Sequence, residues 1–255
     1  MARAKRHYIP GQIWHLTHRC HKREFLFKFA KDRRRWLHWL YQARKRYQLT
    51  ILDYMVTANH IHLLVVDDGD RDVIPRSIQL VAGRTGQEYN QRKNRKGAFW
   101  EDRYHATAVE RGDHLFRCLV YIDLNMVRAG VVNHPSQWPF CEIQYPRRKN
   151  VLIDYEKLRE LLGVGSYDLV ISHHKNWVEG YLRNGKSRRE DKWTGSIAVG
   201  SKSFIERVKS ILGGLVKGRK IKENGDGYQL RESSVPYGGV LEAENEDIEP
   251  KNTYF

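Results

Sequence analysis

Two pairs of side chains in this 255-residue chain have the types and spacing to do chemistry together. His60 and His62 lie in Asn59-His60-Ile61-His62-Leu63-Leu64-Val65-Val66, which reads as a strand. Alternate strand side chains share a face, so both imidazoles point one way and Ile61 points into a core. Tyr121 and Asn125 stand four apart in a helix-like segment, and that spacing also puts them on one face. Two imidazoles can hold a divalent metal, an amide oxygen can complete the site, and a phenol one turn away can act as nucleophile. Such a set suits cleavage of a phosphodiester through a covalent tyrosine intermediate.

The histidine pair is a weak signal by itself. The chain has 12 His, enough for a His-x-His to arise by chance, and such a pair in a strand is often half-buried and structural. The helix says more. On a wheel of about 100° per residue, His114, Arg117, Asn125 and Arg128 fall within about 40° of Tyr121. Leu115, Phe116, Leu119, Val120, Ile122, Met126 and Val127 occupy the far side. The core face is thus expected on the far side, with Tyr121 at the centre of a polar stripe between two guanidinium groups. Arginine holds phosphate oxygens bidentately and stays charged at any working pH.

The net charge of +15 is uneven: residues 1–150 hold 28 Lys/Arg against 14 Asp/Glu, residues 151–255 17 against 16. Basic clusters include Arg3, Lys5 and Arg6, Arg33–Arg35, Arg44–Arg46, and Arg92 to Lys96 with Arg95. They alternate with rings such as Trp14, Trp39, Tyr89, Trp100 and Tyr104, near Arg103. Cationic grooves with stacking rings suit single-stranded nucleic acid, while Trp36 and Tyr47 are expected in the core. No apolar run has the length of a membrane span and no signal region follows the basic start, so a cytoplasmic, nucleoid-associated protein is expected. Cys20, Cys118 and Cys141 show neither pairing nor zinc spacing and are expected to be reduced.

Further elements must position these groups. Strands are predicted at Gly11–His18, Thr50–Val56, His60–Val66 and Tyr104–Glu110. Helices are predicted at Phe29–Tyr47, from Val73 to about Arg92, and over 113–129. The order β-α-β-β-α-β-α predicts an α+β fold: a ferredoxin-like antiparallel sheet with helices on one side. A small C-terminal helical extension follows, with helices at Asp154–Leu162, Tyr167–Arg183 and Ser201–Val216. It reads either as a second DNA-binding module or as a packing and dimerisation element. The expected units are 1–147, 151–221 and a disordered tail over 222–255.

Three stretches together resemble the single-tyrosine HUH transposases of the insertion-sequence-200-like group, with the REP-associated tyrosine transposases as the nearest branch. They are Met55 to Leu64, Phe99-Trp100-Glu101-Asp102-Arg103-Tyr104, and Tyr121 to Gly130, and the resemblance spans roughly residues 8–145. It implies that His60, His62 and Asn125 bind Mg²⁺ or Mn²⁺, and that Tyr121 attacks single-stranded DNA to give a 5′-phosphotyrosine and a free 3′-OH. It also implies imperfect DNA hairpins as partners, often met by a homodimer. The DNA contacts expected are Arg117, Arg128, His114, Trp100, Arg103, Arg3, Lys5, Arg6, Arg95 and Lys96. Two other readings remain: a non-catalytic DNA-binding regulator of the same fold, and a metal-independent phosphoesterase built on His15-Leu16-Thr17 and His60-Ile61-His62.

Overall fold

A computed structural model describes residues 7–67, 70–141, 152–183, 190–225 and 227–231. The first half follows the predicted order: β1 (Ile13–Arg19), α1 (Ala30–Tyr47), β2 (Thr50–Val56), β3 (His60–Val66), α2 (Val73–Lys93), β4 (His105–Val109) and α3 (Asp113–Asp123). The β2–β3 connection is Thr57-Ala58-Asn59. The Thr57 hydroxyl accepts from the Asn59 and His60 amides and donates to the His60 carbonyl, which fixes where β3 begins. Gly112, at φ 69°, makes the sharp entry from β4 into α3. The helix continues past Leu124 as α4 (Asn125–Arg128), with the Arg128 amide on the Leu124 carbonyl, and turns off at Gly130, φ 66°.

β1 pairs antiparallel with β3 and with β4, and β3 with β2. Paired residues share a face, so His15, Thr17, His62, Asp53, His105 and Thr107 lie together on one side. Helix α3 covers that side. Helices α1 and α2 cover the other: Trp100 stacks on His18 of β1 with ring centroids 4.0 Å apart and donates its indole N–H to Ala82 of α2. The expectation of helices on one side therefore holds for α1 and α2, while α3 takes the opposite face. Arg35–Glu88 (2.7 Å) and Arg92–Asp32 tie α1 to α2. Trp36 is in the core, as predicted.

The C-terminal part carries α5 (Tyr155–Leu162), α6 (Tyr167–Arg183) and α8 (Lys202–Leu212), close to the predicted helices, with Asp154 and Ser201 as side-chain caps. It also holds α7 (Lys192–Gly195) and three strands the sequence did not reveal: β5 (Ser196–Gly200), β6 (Ile221–Glu223) and β7 (Tyr228–Arg231). These extend the sheet, which among the described residues has seven strands in the order β2-β3-β1-β4-β5-β7-β6. The sheet is mixed, because β5 joins β4 in parallel through Ala108↔Ala198 and Val109↔Val199. The extension is thus helical in part and continuous with the N-terminal sheet. The tail boundary expected at residue 222 falls inside β6, and β7 lies beyond it; residues 232–255 lie outside the described residues. β6 and β7 were missed because Ile221-Lys222-Glu223 and Tyr228-Gln229-Leu230-Arg231 are too short to show a period.

Helix α3 is covered on two sides. Leu115, Cys118, Leu119 and Ile122 join the main core, whereas Phe116, Val120 and Leu124 form a second cluster with Val178 of α6.

Candidate active site

Strand β3 delivers His60 and His62 to the α3 face with their rings 5.0 Å apart and nearly perpendicular. The Tyr121 ring lies 6.0 Å from that of His62 on the same face, and Asn125 Nδ2 is 3.0 Å from His62 Nε2. The two elements singled out in the sequence therefore meet.

Each imidazole is oriented by a neighbour. His60 Nδ1 is 2.7 Å from Asn59 Oδ1, while Asn59 Nδ2 donates to the Arg23 carbonyl. An amide oxygen can only accept, so His60 donates from Nδ1 and presents Nε2 as a lone pair. His62 Nδ1 lies 2.8 Å from Nε2 of His15, and His15 Nδ1 is 2.9 Å from the Trp193 carbonyl. The rings of His15 and His62 are nearly coplanar, at 11° to one another. His15 is wholly buried, and that burial pushes its pKa down to about 3, against the pull of the Trp193 carbonyl. Both ring nitrogens of His15 thus have partners inside the protein. This argues against the paired-histidine phosphoesterase, which needs a nitrogen from each motif facing substrate.

Tyr121 departs from expectation in one respect. The polar stripe expected around it is covered, and Tyr121 is 4% exposed. The Trp193 ring lies 6.0 Å from it, tilted by 35°, and the Arg128 guanidinium sits 4.2 Å above its ring. A helical wheel separates polar from apolar faces but carries no information on what a segment seventy residues downstream will lay over them. Residues 193–196 dock through their carbonyls. Trp193 O receives His15, Ser196 O receives His105 (3.1 Å), and the single Thr107 hydroxyl proton lies within reach of both carbonyls, at 2.8 Å from Ser196 O and 3.2 Å from Trp193 O.

The residues proposed to touch DNA scatter. Arg128 stands at the site. Arg117, on α3, stacks over Trp177 of α6 at 5.8 Å. His114 pairs with Glu110 (3.7 Å) and is packed beneath Gly227; burial lowers its pKa, opposed by Glu110. Trp100 is on the far side of the sheet, held as described. Arg95 is tied to the Ala98 carbonyl and to Glu24, and Arg103 and Lys96 are exposed. Arg3, Lys5 and Arg6 lie outside the described residues. Arg33, in another basic cluster, stacks on Trp138 and Phe140 and serves the core. Sequence reasoning separated none of these anchoring arginines from exposed ones, because both kinds sit in the same basic runs.

The three cysteines are free. No helix among the described residues is long and apolar enough to cross a membrane.

Comparison with known proteins gives the frame. The chain is similar to a REP-associated tyrosine transposase whose structure is bound to a REP hairpin: 18% identity over 61% of this chain and 95% of that one, TM-score 0.49. A candidate transposase from Deinococcus radiodurans R1 is also similar, at 15% identity over 51% and 92% of the two chains, TM-score 0.33. No curated protein matches. The family model for IS200-like transposases matches residues 9–125, a span that includes His60, His62 and Tyr121 and ends on Asn125. Over those residues the chain is similar to the IS200-like transposase family.

Proposed function

We propose that this protein is a transposase that cuts and rejoins single-stranded DNA through Tyr121, with a divalent metal held by His60, His62 and Asn125. The observation that carries the reading is the meeting of β3 and α3: phenol ring, imidazole and amide come from distant parts of the chain onto one sheet face. A regulator that had lost catalysis would have no need to keep this set together.

The donor set fits a metal. Both histidines present Nε2, and the Asn125 amide that now donates to His62 carries an oxygen on the same carbon as an alternative ligand. Asn125 thus offers this set an uncharged oxygen as its third protein ligand. Two nitrogen donors and one oxygen favour Mn²⁺ over Mg²⁺, which prefers oxygen. When bound, the metal polarises the scissile phosphate.

The protein's own groups do the rest. The Tyr121 oxygen bonds to phosphorus, the P–O3′ bond breaks, the phenolic proton is lost, and the departing 3′-oxygen takes up a proton. This leaves a 5′-phosphotyrosine and a free 3′-OH, whose reverse attack rejoins strands. Arg128, fixed over the tyrosine ring, supplies positive charge for the phosphate. One chain supplies every group named, so the chemistry requires no second copy, and a homodimer remains compatible with it. Hairpin, REP-like DNA is the proposed substrate, after the relative bound to such a hairpin; action on nucleoid DNA in the cytoplasm follows from it.

The test is incubation of the full chain with single-stranded hairpin oligonucleotides from the flanks of its own gene, with Mn²⁺, followed by a denaturing gel. A protein–DNA adduct is expected with wild type and none with Tyr121→Phe. An undiminished adduct in Tyr121→Phe refutes the assignment. Steeply salt-dependent binding without cleavage of any hairpin favours the regulator.

A further inference from the structure

We infer that His15 and the backbone carbonyl of Trp193 are positioning groups of this same site: they fix His62 in the tautomer whose Nε2 carries a lone pair. The inference deepens the metal-site reading above and rests on it for its purpose, though not for its geometry.

The relay reads in one direction. A carbonyl can only accept, so the hydrogen bond between Trp193 O and His15 Nδ1 (2.9 Å) puts the proton on Nδ1. At the other end the Asn125 amide nitrogen can only donate, so His62 Nε2 accepts and His62 carries its proton on Nδ1, facing His15 Nε2. His15 Nε2 is then an acceptor. Its 2.8 Å partner, His62 Nδ1, must donate, and the His62 proton is used up on that side. What remains at His62 Nε2 is a lone pair, and Asn125 Nδ2 donates to it at 3.0 Å. His60 reaches the same state by a local route, through Asn59 of its own turn. His62 takes its orientation from β1 and, through it, from α7.

The C-terminal part of the chain therefore contributes to the site. Its carbonyl at Trp193 is held in place by His15, the next docking point, Ser196 O, by His105, and the single Thr107 hydroxyl lies within reach of both. These three side chains sit on neighbouring strands of one sheet face, and together they receive the segment that starts the relay.

The experiment uses the full chain, metal-free and labelled with ¹⁵N-histidine, and reads imidazole tautomers by long-range ¹H–¹⁵N correlation at neutral pH. His62 is expected protonated at Nδ1 and bare at Nε2. In His15→Leu, whose side chain cannot accept, that tautomer should give way to a mixture. Mn²⁺ affinity, followed by electron paramagnetic resonance, should fall about 10–100-fold, the usual cost of losing such an outer partner. His15→Gln, with an oxygen able to accept from His62, should restore the tautomer and most of the affinity. A His62 proton on Nε2 in the wild-type spectrum overturns the inference without any variant. So does a His15→Leu protein with wild-type tautomer and wild-type Mn²⁺ affinity. If the tautomer is as stated but no DNA adduct ever forms, the relay stands and the function proposed above falls.

Discussion

The two faces of the β1–β4 sheet are made by the same four strands and do opposite work. On the α1–α2 side the alternate residues Trp14, Leu16, Ile61, Leu63 and Val65 share the core with Phe27 and Phe99, whose rings stand 4.9–5.6 Å from one another and from Trp100. On the α3 side the interleaved positions include His15, His62, Asp53, His105 and Thr107, all with under one-tenth of their surface exposed. Burying an aromatic ring needs no partner chemistry and stabilises by roughly 25 cal/mol per Å² removed from water. Burying an imidazole or carboxylate costs free energy unless each polar atom is met. The first face accordingly shows ring packing, and the second a chain of hydrogen bonds ending on backbone carbonyls. Strand periodicity is what lets one stretch of seven residues serve both, since adjacent positions cannot share a face.

The largest effect expected from breaking this contrast is on the packing face. Phe27 is fully buried between Phe99 and Trp100, so Phe27→Ala should cost about 3–5 kcal/mol of stability. That corresponds to a fall in Tm of roughly 6–20 °C for a domain of this size, measurable by thermal denaturation. Adduct formation per folded molecule, measured well below Tm, should stay near wild type. On the other face His60 is half-buried and held by its own turn, so His60→Ala should leave Tm within a few degrees. The same change should cut adduct formation at least about 100-fold, or about 2.7 kcal/mol in the barrier. If the two variants instead lose stability and activity in parallel, the division of labour between faces is wrong.

How much of this was legible in the sequence follows from the range of each interaction. The β2–β3 hairpin was readable at both ends, because the apolar runs Thr50–Val56 and His60–Val66 flank a turn that needs only local chemistry. Helix α6 was readable as Tyr167–Arg183 from its own amphipathic period. The pairs His60–His62 and Tyr121–Asn125 followed from two independent periodicities, 2 and 3.6, whereas the meeting of the two pairs rested on the resemblance. The cover over Tyr121 was not readable. It depends on Trp193, whose neighbours Lys192 and Thr194 show no pattern, and on a parallel β4–β5 pair of two registered residues. Parallel pairing between such distant strands leaves no signal in a local window. His15 illustrates the middle case. The His15-Leu16-Thr17 motif entered only the alternative phosphoesterase reading, which turns it toward a substrate phosphate, whereas the structure turns it inward onto His62 and Trp193.

The smallest expected effect sharpens the contrast most. Asp53 is wholly buried on the chemistry face; its Oδ1 accepts from the Tyr54 amide at 2.7 Å, and its Oδ2 has no hydrogen-bond partner among the described residues. Burial, reinforced by the negative charge of Asp123, pushes its carboxyl well above the usual carboxylate range, and the Tyr54 N–H opposes this. Asp123 is itself buried on α3, two residues from Tyr121, with His174 Nε2 3.2 Å from its Oδ2. The folded protein therefore binds the Asp53 proton more tightly than the unfolded chain does. Its contribution to stability is full below the ordinary value of 3.8 and is lost as pH rises toward the folded value. Asp53→Asn keeps the acceptor for Tyr54 and removes the titration. It should raise Tm at pH 8 by about 2–4 °C, equivalent to on the order of 1 kcal/mol, and by much less at pH 4. Equal gains at the two pH values, or none at pH 8, contradict the assignment. Adduct formation by the same variant then discriminates between two roles for the buried acid. Unchanged cleavage means that the cost is incidental to chemistry, whereas a loss despite the higher Tm means that the Asp53–Asp123 pair positions α3, and with it Tyr121.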